Sequence, residues 1–205
     1  MGLVSIAALI VLFLSLTGGR RHRGRDQLEA VNSARQIGFT LFDFESEYGA
    51  YPNADTVVAV QKATGTTLNL GTKTSNDFFR QLLAANFTQN EKMFYAKGSG
   101  IRKPDDVIAG TKALEKGECG FTYFLGASKL DNPSRPLAAA PMIPGTDRFD
   151  PEPFEGKAVF LKIDNSVISL PIDKHGHVIY AGRNLMDPHH PIWDGHAPSI
   201  AWPEL

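Results

Sequence analysis

The first 52 residues constrain the fold of this chain more than any other segment. An uncharged apolar run from Leu3 to Leu16 leads into a cluster of arginines between residues 20 and 25. A long amphipathic segment follows and ends at Tyr48-Gly49-Ala50-Tyr51-Pro52. Glycine favours the left-handed conformation that closes a helix, and proline prevents the helix from resuming. The pattern predicts one long N-terminal helix that ends beneath a globular head.

The amphipathic segment carries its apolar side chains at steps of three or four residues, which is typical of one helical face. Asp26 and Glu29 form a capping-box pattern, although a helix continuous with the apolar run needs no cap. We interpret Phe39, Phe42 and Phe44 as core residues that hold the helix to a sheet. The predicted stripe consists of Leu28, Val31, Ala34, Ile37, Leu41, Phe44 and Tyr48.

The apolar run and its basic flank predict a membrane segment over residues 1–25. The run is about one turn shorter than the roughly 20 residues that a helix needs to cross a bilayer. A cleaved signal peptide is the alternative, but the N-terminus has no positive charge before the run, and residues 15–19 make a poor small-x-small cleavage site. The arginines suit lipid head groups. Their position after the run would by itself keep the following chain in the cytoplasm.

Composition limits the partners of residues 26–205, which we predict to form one head domain that includes the C-terminal half of the long helix. Hydrophobic residues make up 42% of the chain, enough for a core. Four of the 21 basic residues and none of the 22 acidic residues precede Asp26, so the head is acidic. Nucleic acid is therefore not an expected partner, because a phosphate-binding surface needs clustered Lys and Arg.

The head shows helical patterns first and strand patterns later. Asp55 is a plausible cap for a short helix that ends at Gly65, and a second helix is predicted from Asn76 to Ala85. Helices followed by consecutive strands favour an α+β fold with an antiparallel meander. Short apolar or alternating runs predict strands at residues 121–125, 137–142, 158–163, 167–172 and 177–180.

The end of the predicted long helix resembles a known family. The segment that begins Ala34-Arg35-Gln36-Ile37 and ends Ser46-Glu47-Tyr48-Gly49-Ala50-Tyr51-Pro52 is similar to type IV pilin-like proteins, especially the pseudopilins of bacterial type II secretion. In that family, a helix ending in a Tyr-Gly-x-Tyr/Phe-Pro turn packs on a sheet. The resemblance implies a pilin-like α+β fold, with a long membrane-rooted helix packed on a small antiparallel sheet.

The same resemblance implies a structural rather than an enzymatic role. The expected function is that of a subunit of a bacterial secretion or pilus fibre, assembling through its N-terminal helix. The expected partners are other pilin-like subunits, the inner-membrane assembly platform and the membrane. The expected location is a single pass in the inner membrane, with the head in the periplasm or in a surface fibre.

A second similarity within the helix is interpreted as coincidence. Gly38-Phe39-Thr40-Leu41 resembles the prepilin cleavage motif, but Asp43 stands where the motif has Glu, and no membrane-spanning run follows. A leader is expected instead before Met1, as part of a longer prepilin. About seven additional residues would extend the apolar run to the length that spans a bilayer.

The C-terminal region holds a cluster of possible metal ligands. Five of the six histidines lie between residues 175 and 196, close to three aspartates. Histidine with carboxylate suits zinc or another transition metal, whereas carboxylates and loop carbonyls suit calcium. The third possibility is a solvated, proline-stiffened tail whose histidines only titrate. The candidate ligands are Asp173, Asp187, Asp194 and His196.

Residues 169–202 also resemble the C-terminal loop of major pseudopilins, which holds calcium, so the resemblance implies calcium as a possible cofactor. That loop is rich in Asp and Gly, whereas residues 187–196 are rich in His and Pro.

No catalytic sequence motif was found: there is no nucleophile elbow, P-loop, dinucleotide glycine pattern or His-Glu-x-x-His. We interpret the single cysteine, Cys119, as a structural thiol rather than a nucleophile. The alternative to a fibre subunit is a membrane-anchored envelope protein with a metal-dependent hydrolase or ligand-binding head that uses the C-terminal His/Asp cluster.

Overall fold

The computed structural model describes the backbone from Gly2 to Leu205 and the side chains from Gly24 onward. Helix α1 covers Gly2–Tyr48. The predicted membrane segment, residues 1–25, therefore lies almost wholly outside the described side chains. Gly49 follows α1 with φ +76°, and its amide donates to the Glu45 carbonyl at 2.8 Å. The predicted glycine C-cap is thus present.

The predicted pilin-like fold with a membrane-rooted helix needs correction. In the part of the chain that the structure describes, no helix is long and apolar enough to cross a membrane. The architecture is an α+β fold with a five-stranded antiparallel sheet and few helices. Charged residues such as Arg25, Asp26, Glu29 and Arg35 give the described part of α1 a face suited to water rather than to lipid. Asp26 forms an ion pair with Lys97 at 2.6 Å instead of capping a helix.

Two shorter helices follow α1, and local side-chain caps fix where they begin. Helix α2 covers Ala54–Thr64 and is capped by Asn53, not by Asp55 as predicted. Helix α3 covers Ser75–Ala84 and is capped by Thr74. In each case, the cap side chain accepts backbone N–H groups that the first turn cannot satisfy internally.

The sheet has the order β4-β3-β2-β1-β7. All four of its neighbouring strand pairs are antiparallel. A separate two-stranded ribbon pairs β5 with β6. All five predicted strands lie within two residues of observed ones, whereas β6 and β7 were not predicted. The strands are β1 Thr122–Leu125, β2 Pro136–Ala140, β3 Lys157–Lys162, β4 Val167–Pro171, β5 Ile179–Tyr180, β6 Arg183–Asn184 and β7 Ser199–Ala201.

Alternation along the central strands divides the interior into two cores. In β3, Val159 and Leu161 belong to the core that lies under the helices, with Ile37, Leu41 and other apolar residues of α1. Ala158 and Phe160 point to the opposite face, where a second core contains Trp193. Because successive strand side chains face opposite ways, the sheet is buried on both sides.

The second core shows that the C-terminal region is not a solvated tail. Ile192 and Trp193 lie in the 3-10 helix Pro191–Trp193 and are 5% and 1% exposed. The Trp193 indole donates to the Leu185 carbonyl at 2.8 Å, and its ring lies 5.3 Å from that of Phe124. The region therefore forms a third layer over the outer face of the sheet.

We expect Leu41→Ala to lower the free energy of unfolding by about 2–5 kcal/mol, because a fully buried side chain would leave a cavity. The matched control is Phe39→Ala on the same helix, where the side chain is 63% exposed. It should change stability by no more than about 0.5 kcal/mol. Chemical denaturation measures both values, and equal losses would contradict the described orientation of α1.

We expect Gly120→Ala to destabilise the head severely. A Cβ atom at Gly120 would lie 2.0 Å from the Ala96 carbonyl oxygen and 2.7 Å from the Ala96 nitrogen, and backbone cannot move aside as a side chain can. Gly98→Ala is the control, because its nearest atom would lie at 3.4 Å. Melting temperatures compare the two variants; a Gly120→Ala protein that melts with the parent would refute the close approach.

Candidate functional site

The outward face of α1 carries large apolar side chains that the head does not cover. Leu28, Phe39 and Phe42 are 59%, 63% and 55% exposed. The interpretation of Phe39 and Phe42 as core residues is therefore wrong, while Phe44 is buried as predicted. The exposed residues at steps of four and three form one ridge, which we call the outer ridge: Leu28, Asn32, Arg35, Phe39, Phe42 and Ser46.

The opposite face of α1 explains why the two phenylalanines point away from the head. Ile37, Leu41 and Phe44 fill the inward positions and are fully buried. Gly38 also faces inward, because a Cβ there would lie 2.7 Å from Leu161 Cδ1. Since residues on one helix repeat every 3.6 positions, the helix cannot bury these residues and the outer ridge at the same time.

The four predicted metal ligands at the C-terminus do not meet, and two of them are engaged in separate local turns. Asp173 accepts the amides of His175 and His177 at 2.8 and 2.9 Å, and these bonds lower the pKa of its carboxyl group. Asp187 accepts the His189 amide at 2.8 Å. Within residues 24–205, these candidates do not form a three-ligand cluster.

The other two candidates lie elsewhere in the tail. Asp194 follows the 3-10 helix with φ +52° and accepts the Asn132 amide at 3.3 Å. The side chain of His196 is exposed. A metal bound by the tail therefore stays a prediction that the side-chain positions do not favour.

His190 has a structural role. It is 3% exposed, its Nε2 lies 2.9 Å from the Tyr180 carbonyl oxygen, and its Nδ1 accepts the Ile192 amide at 3.1 Å. A carbonyl can only accept and an amide N–H can only donate, so the neutral tautomer with hydrogen on Nε2 satisfies both bonds. Both ring nitrogens are then occupied by the backbone.

A different cluster does bring its carboxylates together. One carboxylate oxygen from each of Glu91, Asp105 and Glu118 lies within 4.8 Å of the other two. Glu91 and Glu118 are fully buried, whereas Asp105 is exposed at the surface. We call these three residues the carboxylate cluster. The sequence does not reveal this cluster, because its three residues are far apart along the chain and follow no motif.

The backbone around the carboxylate cluster is held by hydrogen bonds rather than by regular structure. Glu91 begins the 3-10 helix Glu91–Phe94, and the other two members lie in the long connection from there to β1. Glu91 Oε1 accepts the Leu114 amide at 2.5 Å, and Glu118 Oε2 accepts the Glu115 amide at 2.7 Å. Long connections without secondary structure are uncommon inside compact domains and are usually either functional or flexible linkers, and these hydrogen bonds argue against a flexible linker here.

Helix α3 fixes the same connection from beneath. Asn76 Nδ2 donates to the carbonyls of Leu114 and Glu115, both at 3.0 Å. Arg80, which is 6% exposed, donates to the carbonyls of Ala113 at 2.7 Å and Leu114 at 3.1 Å. These bonds hold the backbone next to Glu91, so the cluster does not rest on a loose loop.

Charges around the carboxylate cluster are unevenly balanced. Arg102 donates to Glu118 Oε1 at 2.5 Å and pairs with Glu115 at 2.9 Å, and Lys92 pairs with Asp106. Burial, followed by repulsion from Glu118, Asp105 and Asp106, raises the pKa of Glu91 although the Leu114 amide opposes it. Burial also raises the pKa of Glu118, against the lowering effects of the Glu115 amide and Arg102.

Cys119 shows no sign of nucleophilic activation. It is fully buried, and burial raises the pKa of its thiol to about 11. Its sulfur contacts Ser75 Oγ at 3.5 Å and the Phe121 carbonyl oxygen at 3.4 Å. A thiol with a raised pKa remains protonated at neutral pH and reacts slowly.

We expect ionisation of Glu91 to lower the free energy of unfolding as the pH rises, in protein without bound metal. A raised pKa in the folded state means that folding binds protons between the ordinary glutamate value, about 4.3, and the raised value. This stability is present at low pH and is lost as pH rises through the raised pKa. Glu91→Gln should therefore gain stability over the parent at neutral pH, and the gain should shrink as pH falls towards about 4.3.

Melting temperatures in chelator across that pH range test this expectation. Asp43→Asn, an exposed change on α1, is the control. A difference between Glu91→Gln and the parent that does not vary with pH would contradict the raised pKa.

Comparison with known proteins adds no identification: the chain matches no protein-family model, no curated protein and no solved structure.

Proposed function

We propose that this protein is a structural subunit that assembles with copies of itself through α1, in a bacterial secretion or pilus fibre. The observation that carries the proposal is the outer ridge, where Phe39 and Phe42 are more than half exposed on a helix that already fills the head's core with its other face. Neighbouring exposed aromatic residues on an ordered helix are typical of an interaction surface.

The size of the apolar contact favours repeated weak contacts over a stable isolated dimer. A fully buried phenylalanine removes about 150–250 Å² from water, so two that are a little over half exposed offer roughly 200 Å². At about 25 cal/mol per Å², that area contributes on the order of 5 kcal/mol. Association costs about 4–15 kcal/mol. One contact of this kind therefore roughly balances the cost, and a fibre that repeats it gains through multivalency.

The charge pattern of α1 favours a parallel copy displaced along the helix axis. The basic residues Arg20, Arg21, Arg23 and Arg25 lie towards one end of the helix, and Asp43 and Glu47 lie exposed towards the other. With a rise of 1.5 Å per residue, these groups are separated by roughly 34 Å. A parallel shift of that size brings the basic end of one helix to the level of the acidic end of the next. Such a contact joins different surfaces on the two copies, and it produces an open filament rather than a closed dimer.

The secretion or pilus context rests on the resemblance of residues 34–52 to pilin-like proteins. Other pilin-like subunits and the inner-membrane assembly platform are the partners proposed on that basis. Single-pass anchoring is not supported by the described helices, and assembly through the outer ridge does not depend on it. The alternative of a metal-dependent hydrolase rests on the C-terminal His/Asp cluster, and no observed side-chain geometry favours it.

Self-association of the full chain tests the proposal. We expect the mean mass of the parent to rise with protein concentration, and to fall on adding salt because screening weakens the charge pairing. The double variant Phe39→Glu/Phe42→Glu should associate at least about tenfold more weakly, since a loss of 1.4 kcal/mol is already tenfold. Sedimentation velocity at several concentrations measures both effects.

The matched control is Val58→Glu/Leu130→Glu, which adds the same two charges at apolar positions that are 68% and 89% exposed elsewhere on the head. It should associate like the parent. A parent that stays monomeric at every concentration would reject assembly through α1, as would equal association of both double variants.

A further inference from the structure

Glu91 is a buried acid whose charge is not fully compensated by the described protein atoms. Its side chain is fully buried, and its Oε2 has no hydrogen-bond partner, whereas Oε1 accepts the Leu114 amide. An ionised carboxylate buried with an unpaired oxygen is costly, because neither water nor a donor replaces its lost hydration. The same carboxylate belongs to the carboxylate cluster, so the unpaired group lies beside two further acids.

The charges nearby increase the problem rather than relieve it. Five acidic groups come together in this region, and Arg102 and Lys92 are the cations that form ion pairs with them among the described side chains: Glu91, Asp105, Asp106, Glu115 and Glu118. Arg102 pairs with Glu115 and Glu118, and Lys92 pairs with Asp106. Neither cation is paired with Glu91 or Asp105 within the side chains that the structure describes.

We propose that the carboxylate cluster is a calcium-binding site, with Glu91, Asp105 and Glu118 as protein ligands. The donors are all carboxylate oxygens, which hard divalent cations prefer, and the cluster includes no histidine or thiolate to favour a transition metal. Ca²⁺ binds oxygen at about 2.3–2.6 Å, so two ligands on opposite sides of the ion are roughly 5 Å apart. The separations of up to 4.8 Å within the cluster fit that range.

The two environments in the cluster suit entry and binding. Asp105 is exposed and gives the ion access from solvent, while Glu91 and Glu118 lie buried beneath it. Glu118 already accepts from Arg102 and from the Glu115 amide. Each carboxylate oxygen has a second lone pair, so Glu118 can still bind an ion. Because Arg102 offsets one negative charge, we expect weak binding, with a dissociation constant for Ca²⁺ of about 10⁻⁴–10⁻³ M.

Calcium titration of the full chain tests the site. After treatment with chelator, Ca²⁺ alone should raise the melting temperature of the parent, because a ligand that binds only the folded state stabilises it. Isothermal calorimetry should give about one ion per chain. Asp105→Asn, at an exposed position, should keep the fold and weaken Ca²⁺ binding by about tenfold or more.

Glu91→Gln separates binding from folding, because its melting temperature in chelator should equal or exceed that of the parent while Ca²⁺ no longer raises it. The control variants Asp187→Asn and Asp194→Asn, in the C-terminal region, should retain the full calcium response. If Ca²⁺ does not change the melting temperature of the parent, the proposal is overturned. A proton shared between the carboxylates would then be what offsets the buried charge of Glu91. Loss of the response in the C-terminal variants alone would also overturn it, and so would an equal response to Mg²⁺ at the same concentration. None of these outcomes depends on whether the chain self-associates.

Discussion

The packing of α1 against β3 is the interaction on which the rest of the structure depends. Ile37, Leu41 and Phe44 meet Val159 and Leu161 in the core under the helices. Gly38 lets the helix approach this strand, since a Cβ there would come within 2.7 Å of Leu161. A glycine inside a helix costs roughly 0.5–1 kcal/mol relative to alanine, so its presence here is compensated by close packing. That contact also fixes the rotation of α1 and thereby decides which residues form the outer ridge.

The fold was predictable where local chemistry decides it. Caps and periodicity located α3, and alternation located strands β1 to β4 closely, because these signals depend on neighbours in the sequence. The third layer was missed because Pro191, Ile192 and Trp193 lie in a His- and Pro-rich segment whose composition is typical of a loop. Only the second core shows that Trp193 is buried. The predicted stripe did identify the buried face of α1, where Ile37, Leu41 and Phe44 are fully buried, although Leu28 at its start is 59% exposed. The assignment of Phe39 and Phe42 to the core was wrong, because they lie on the opposite face of the helix.

In the candidate sites, closeness in the sequence does not predict closeness in the structure. The C-terminal His and Asp residues are close in sequence, yet Asp173 and Asp187 accept amides in separate turns, and Asp194 accepts the amide of the distant Asn132. Glu91 and Glu118 are far apart in sequence but meet because Asn76 and Arg80 of α3 hold the connection between them. Hydrogen bonds to backbone carbonyls hold this site together, and they produce no spacing pattern in the sequence. The acidic residues are visible in the sequence, but nothing there shows which of them meet.

The strand order limits how copies of this protein can associate through the sheet. The edges of the sheet are β4 and β7. Strand β7 is three residues long, and Thr74 bridges to Trp202 beside it. Strand β4 ends at Pro171, which has no N–H to offer a neighbour. Neither edge is a good template for strand addition, and both faces of the sheet are already covered. The sheet is thus protected against strand addition and stacking, and the proposed association of copies uses the outer ridge of α1, which lies outside the sheet.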